Sequence, residues 1–168
     1  MTWSMNKKGW LDCLFYFLGH QYSDFWLCHT WLDSNGEIRF SKWRTYLDIQ
    51  GDEKALAKVN QRTLLMNEAV LEIDRSWEDY LKVITDLRNK GIEFYAYATK
   101  SHRAKHIHLF FEGDMALMPK YVRERKRLAL AEYYGCDKQL ASDKHMIALE
   151  WCPHWKTREL KDLIENGK

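Results

Sequence analysis

The spacing of apolar positions changes several times along the chain, and each change marks an element. Residues 6–19 put Trp10, Leu11, Leu14, Phe15 and Leu18 on one side at helical spacing, which predicts an amphipathic helix. Residues 24–32 and 37–43 are aromatic and β-branched, and they flank Ser34-Asn35-Gly36. An Asn-Gly step between such runs predicts a β-hairpin, because Asn and Gly tolerate the backbone angles of a tight turn. Residues 68–74, EAVLEID, read as a short strand. Ser76 then caps a helix, with Asp79 three positions on. Trp77, Tyr80, Leu81, Ile84 and Leu87 form its stripe, and Gly91 ends it. Strands are expected at 92–98 and 106–111, joined by a turn over 99–105. Pro119 opens a second long helix that runs to Tyr134 and stops at Gly135. A last strand, 146–151, leads into PHWKTRELKDLI.

The order is therefore hairpin, strand, helix, strand, strand, helix, strand. One helix between strands, followed by a tight return, predicts an α+β fold. Its helices pack on one face of a mixed or antiparallel sheet, preceded by the N-terminal helix and hairpin. No Pro-rich or Gly/Ser linker and no repeat interrupts the 168 residues. A single domain is expected, with a hairpin module over about residues 1–66 and a sheet-and-helix unit over about 67–168.

Composition narrows this further. The apolar fraction of 46% is high enough to build a core, which argues against disorder. Lys and Arg number 26 against 24 Asp and Glu, so the chain is no polycation, although a local basic groove remains open to it. The N-terminus lacks the pattern of a secretory leader, and no apolar run is long enough to span a membrane. Cys13, Cys28, Cys136 and Cys152 form no Cys-x-x-Cys pair. A cytoplasmic protein with reduced thiols is expected. Cys136, Cys152 and His154 offer zinc-ligand types at a spacing that matches no familiar clip, so buried thiols are the plainer reading.

Two strands carry candidate chemistry. Glu72 and Asp74 stand two apart, so strand alternation gives them one face, shared with Val70. Two carboxylates this close repel unless a cation lies between them, and Mg²⁺ or Mn²⁺ prefers oxygen ligands. The plain alternative is a solvated strand face, with Asp74 paired to Arg75. In SHRAKHIHLFF, residues 101–111, His106 and His108 share a face and follow Ser101, Arg103 and Lys105. Arg and Lys make charge-assisted bonds to phosphate, and the turn can aim backbone N–H groups at an anion. Glu150 closes the apolar strand at 146–151 and needs a partner there. Lys156, just beyond, is a further phosphate contact. In the hairpin, Arg39, Lys42 and Arg44 alternate with Trp26, Trp31 and Trp43, a pattern that suits a nucleic-acid strand as well as it suits core Trp with solvated cations. Arg123, Arg125, Lys126 and Arg127 read mainly as a solvated helix face.

Taken in order, Glu-x-Asp, then Ser-x-Arg-x-x-His before an apolar strand, then a strand ending in Glu, resembles the archaeo-eukaryotic primase superfamily. NQRTLLMNEAVLEID and DFWLCHTWLDSNGEIRF also resemble the region before its first motif, so the likeness spans roughly 24–160. It implies an RRM-like catalytic palm that transfers nucleotides on a single-stranded DNA template. By that resemblance Glu72, Asp74 and Glu150 hold Mg²⁺ or Mn²⁺. Ser101, Arg103 and His106 bind the nucleoside triphosphate, with Lys105 and Lys156 in support. Arg39, Lys42, Trp43 and Arg44 carry the template. A helicase or a second primase subunit is the implied partner, and a plasmid or virus the implied source. The chain departs from the family at Glu72 and Glu150, where Asp is usual, and at His108, where the family has an aromatic or aliphatic residue.

Two other readings stay open at this level. His106-Ile107-His108 also matches the His-hydrophobic-His motif of replication-initiator and relaxase nucleases. There His106, His108 and Glu72 would hold the ion, and Tyr121, Tyr133 or Tyr134 would attack DNA; none of these tyrosines has the usual Lys three residues later. The other reading is a palm without catalysis, serving as a nucleic-acid-binding subunit.

Overall fold

The computed structural model describes residues 6–19, 24–99, 104–111 and 118–167. Two sheets organise it. The larger contains, in spatial order, β10 (Cys152–Pro153), β11 (Leu160–Gly167), β7 (Phe94–Ala98), β8 (Lys105–Phe110) and β6 (Glu68–Ile73). The smaller contains β4 (Arg44–Thr45), β1 (Trp26–Cys28), β5 (Gln61–Thr63) and β9 (Met146–Ala148). The expected hairpin is β2 (Thr30–Leu32) with β3 (Ile38–Phe40), and Asp33 closes its turn by accepting from the amides of Asn35 and Glu37. The fold is α+β. Every strand pairing among the described residues is antiparallel, so no mixed sheet is found.

Alternation along β6 decides where its chemistry goes. Leu71 and Ile73 point to one face and pack on α4 (Trp77–Asn89) through Tyr80, Val83, Ile84 and Leu87. Glu68, Val70 and Glu72 therefore point to the other. Ser76 caps α4 as expected, accepting from the amide of Asp79 at 3.2 Å. The second long helix, α5 (Lys120–Tyr134), borders the same core through Leu130 and Tyr134 and ends on Gly135 at φ 66°. The two long helices thus share one face of the large sheet. The reverse face is covered by α1 (Lys7–Cys13), which continues as a π-helical stretch, Leu14–Leu18. The Trp10 ring lies 5.2 Å from that of Tyr97, and Leu11 and Leu14 are fully buried beside Phe25, Leu27 and Tyr46.

The smaller sheet draws β9 from the far end of the chain onto β5, with Arg62 opposite Ile147. The hairpin module and the larger sheet are in this way tied together by one ladder. The chain then changes sheets between β9 and β10. Trp151 makes that crossing at φ 59°, a left-handed conformation that costs a bulky residue about 1–2 kcal/mol. Its amide donates to Lys161 O at 2.6 Å and its indole to Tyr97 Oη at 3.0 Å, which hold it there. This crossing turns Glu150 inward.

The basic face expected on α5 is only half solvated. Arg125 and Lys126 are exposed, but Arg123 and Arg127 are buried and pair with Asp143. Arg127 also donates to Glu68 O at 2.7 Å and Leu65 O at 2.9 Å. Those carbonyls belong to the bend before β6 and to its first residue, and buried carbonyls need donors. Among the described residues no helix is long and apolar enough to cross a membrane.

Candidate active site

A cavity of about 310 Å³ opens where the two sheets meet, lined by Glu72, Thr99, His106, His145, His154 and Lys161 among others. Pairing of β6 with β8 sets Glu72 directly opposite His106, and their side chains share the face turned away from α4. His106 Nε2 lies 3.9 Å from Glu72 Oε2. Behind His106, the Lys161 ammonium sits 2.8 Å from its Nδ1 and 2.7 Å from Ala148 O. An ammonium only donates, so Nδ1 accepts and the ring proton belongs on Nε2, facing Glu72 and the cavity.

The electrostatics follow from this packing. Burial pushes the Lys161 pKa down to about 8, with Arg62 acting in the same direction against Glu150, Glu68 and Glu72. Burial, then the positive charge of Lys161, holds His106 well below its usual range, so the ring is neutral. Glu72 titrates above the ordinary carboxylate range, first because of burial and then because of the charges of Asp137 and Asp74. Asp74 lies just past the end of β6 and is exposed. Asp137 caps the 3-10 turn Lys138–Ala141, accepting from the Gln139 amide at 2.9 Å. Glu72 thus feels two further carboxylates from outside the cavity lining.

Glu150 is not among them, and this corrects the expected triad. It is fully buried against Arg62, which donates through Nη2 to its Oε1 at 2.6 Å and through Nε to both oxygens at 3.2 Å. The same guanidinium grips Glu68 with two bonds of 2.8 Å. His108 Nδ1 lies 2.7 Å from Glu68 Oε2 and, beside a carboxylate, must be the donor. Among the described residues no three His, Cys, Asp or Glu side chains form a group that could hold a metal ion. The closed Arg62–Glu68–Glu150–His108 cluster also removes His108 from any ion shared with His106, which the nuclease reading required. Arg62 and Glu68 escaped sequence reading. The available signal was Glu68 itself, which lies four residues before Glu72 and so shares its face by strand alternation.

The other expected residues separate. Lys105 neighbours His106 in sequence, so it points to the opposite face, where its ammonium lies 5.6 Å from the Trp77 ring. It does not reach the cavity. Lys156 is exposed in the turn between β10 and β11, where its amide donates to His154 Nδ1 at 3.1 Å. Ser101 and Arg103 lie outside the described residues. Of the hairpin cations, Arg39 is paired with Asp33 and Glu37, and Arg44 with Asp48 and Asp52, while Lys42 is exposed. Trp43 turns to a separate cavity of about 470 Å³ that it shares with Trp26. Cys136 and Cys152 pack in different cores, with thiols directed at Tyr134 O and Val59 O, so the zinc set does not assemble.

No protein-family model matches the sequence, and no curated protein matches it. Among solved structures, the fold is similar to the crystal structure of primase RepB', with a TM-score of 0.61 and 13% sequence identity. The match covers 96% of this chain and 56% of that one, so the chain spans little more than half the length of that primase. At this identity the similarity establishes a primase-like fold.

Proposed function

We propose that the chain is the nucleotidyl-transfer palm of a primase, joining nucleoside triphosphates on a single-stranded DNA template. The observation that carries this reading is one strand pair. In a sheet with a primase-like fold, Glu72 and His106 stand opposite each other at the mouth of a cavity, with Lys161 behind them. An imidazole N–H and an ammonium in a half-closed site suit a polyphosphate, since both donate and neither accepts at these positions.

Mg²⁺ or Mn²⁺ is the proposed cofactor. Mg²⁺ often takes only one or two carboxylates and completes its shell with substrate phosphates and water. Glu72 and Asp74 fit that pattern, and the charge of Asp74 adds to burial in raising the Glu72 pKa, negative charge that a cation would relieve. A divalent ion held there would lower the pKa of an attacking 3′-hydroxyl and neutralise the departing pyrophosphate. The chain's own part is to orient the triphosphate. His106 donates from Nε2 to a phosphate oxygen, Lys161 fixes that ring and adds positive charge, and Lys156 meets the outer phosphates. By the family resemblance Ser101 and Arg103 complete these contacts. A helicase or a second primase subunit working alongside is part of the same proposal.

The test is incorporation on labelled primer–template and on an unprimed single strand, with Mn²⁺ or Mg²⁺. Wild type incorporates nucleotide, and Asp74→Ala abolishes it. Undiminished incorporation by Asp74→Ala would remove the carboxylates from the mechanism. Calorimetry that finds no metal-dependent binding of a nucleoside triphosphate to wild type would make the palm non-catalytic.

A further inference from the structure

A second basic feature lies on the hairpin module, apart from the nucleotide cavity. A groove of about 520 Å³ is lined by His29, Trp31, Lys42, Arg44, Lys54 and Lys58, over a floor that includes Leu27, Ile49 and Val59. Its aromatic wall is built, since the rings of His29 and Trp31 stack at 4.8 Å with 27° between their planes. Trp31 nevertheless remains 39% exposed. Burying an aromatic ring is favourable by default, so an exposed, pre-oriented indole is a surface that awaits contact.

The charge around that wall has one sign. Lys54 and Lys58 are four apart on α3 (Glu53–Lys58), so both stand on one side of the helix, and both are exposed. Lys42 is exposed on the opposite lip. Asp52 is the carboxylate among the described lining residues, and its Oδ2 accepts from Arg44 at 3.3 Å. That leaves the three lysines uncompensated, on a chain whose formal net charge is only +2. The field is felt inside the groove: after burial, the charges of Lys58 and Lys7 are what hold His29 below its usual pKa.

We propose that this groove binds a single-stranded nucleic acid, with an unpaired base stacked on Trp31 and the flanking phosphates held by Lys42, Lys54 and Lys58. A planar aromatic face with cations around it is complementary to an unstacked strand. A duplex keeps its base faces covered. The site differs from the one expected in the sequence, where Arg39 and Trp43 were template contacts, since Arg39 is neutralised within the hairpin and Trp43 lines another cavity. It rests on the catalytic reading only for the class of ligand, and it would serve to hold a strand beside the palm.

The experiment is fluorescence anisotropy of a labelled oligo(dT) strand with the full chain, without nucleoside triphosphate or divalent ion. Trp31→Ala is expected to weaken binding about tenfold, as the loss of one stacked base does. Trp31→Phe, which keeps an aromatic face, stays within about threefold of wild type on the same stacking argument. Lys54→Glu with Lys58→Glu lowers the slope of log affinity against log salt by at least about one, because two phosphate contacts are lost. Circular dichroism confirms that each variant is folded. The proposal is overturned if wild type does not bind oligo(dT), or if Trp31→Ala binds as wild type does. It is also overturned if poly-glutamate binds as tightly with the same dependence on Trp31, since the groove would then take an acidic protein segment. Strand binding is read without nucleoside triphosphate or divalent ion, so a failed extension assay and a failed groove are separate results.

Discussion

Replacing Arg62 by Met tests what Glu150 is for. The guanidinium is fully buried and holds two carboxylates, with two bonds of 2.8 Å to Glu68, a bond of 2.6 Å and two of 3.2 Å to Glu150, and one of 3.1 Å to Thr63 O. Methionine keeps much of the volume and removes every donor. Breaking one buried ion pair by deleting a partner costs about 3–5 kcal/mol. Here two carboxylates lose theirs, so the expected loss lies at the upper end, near 5 kcal/mol. Since a domain of this size is stable by roughly 5–15 kcal/mol, the variant should be at or near unfolding at neutral pH. The assay is urea or guanidinium unfolding followed by circular dichroism. Arg62→Met combined with Glu68→Gln and Glu150→Gln should recover more than half of the loss, because neutral amides carry no charge to strand. The acid limb gives a second check. Arg62 holds both carboxyls below the ordinary range, Glu150 at about 2, so their contribution is complete above 4.5 and is lost as pH falls toward 2. In Arg62→Met the sign reverses and relative stability rises on acidification. A loss below about 1 kcal/mol, with an unchanged acid limb, would refute the cluster and return Glu150 to the list of candidate metal ligands.

Two further outcomes follow from the cavity. Lys161→Met frees His106 Nδ1, so ¹⁵N spectra should show wild-type His106 as the Nε2–H tautomer and the variant with a substantial Nδ1–H population; identical spectra would deny Lys161 its orienting part. The charge of Lys161 is present below about 8, so nucleoside triphosphate affinity should fall as pH rises through that value, a limb that Lys161→Met lacks. Asp137→Asn removes one of the charges that raise Glu72, and the Glu72 carboxyl should then titrate at lower pH by NMR, whereas an unmoved titration would place Asp137 outside the site.

Local periodicity read most of the fold. The helix from Trp77, the hairpin around Asn35-Gly36, the Gly91 and Gly135 stops and the common face of Val70 and Glu72 all rest on interactions within a few residues. Strand β11 was missed because LKDLIENG shows no clean alternation and holds a single β-branched residue, Ile164, and its strand character comes from pairing with β7, more than sixty residues away. Lys161 was missed with it. On a strand edge it looks like any solvated lysine, and only the closing of β9 and β11 around His106 buries it.

The misreading of Glu150 has a general cause. A carboxylate in an apolar strand demands a partner, and sequence order offers every distant cation and every bound ion as equal candidates. Arg62 won through topology, since the antiparallel pairing of β5 with β9 brings it to the crossing where Trp151 turns Glu150 inward. The consequence for the site is mechanical. Arg62 belongs to the small sheet and Glu68 and His108 to the large one, so the closed ion cluster locks the two sheets at a fixed separation. The cavity lies between those same sheets, with Glu72 four residues beyond Glu68 on β6 and His106 two residues before His108 on β8. The rim that gathers charge for a ligand is thus held by a neighbouring network of buried ion pairs. A protein that must keep a histidine and a carboxylate opposed across two strands gains from putting a rigid, buried ion network one pleat away.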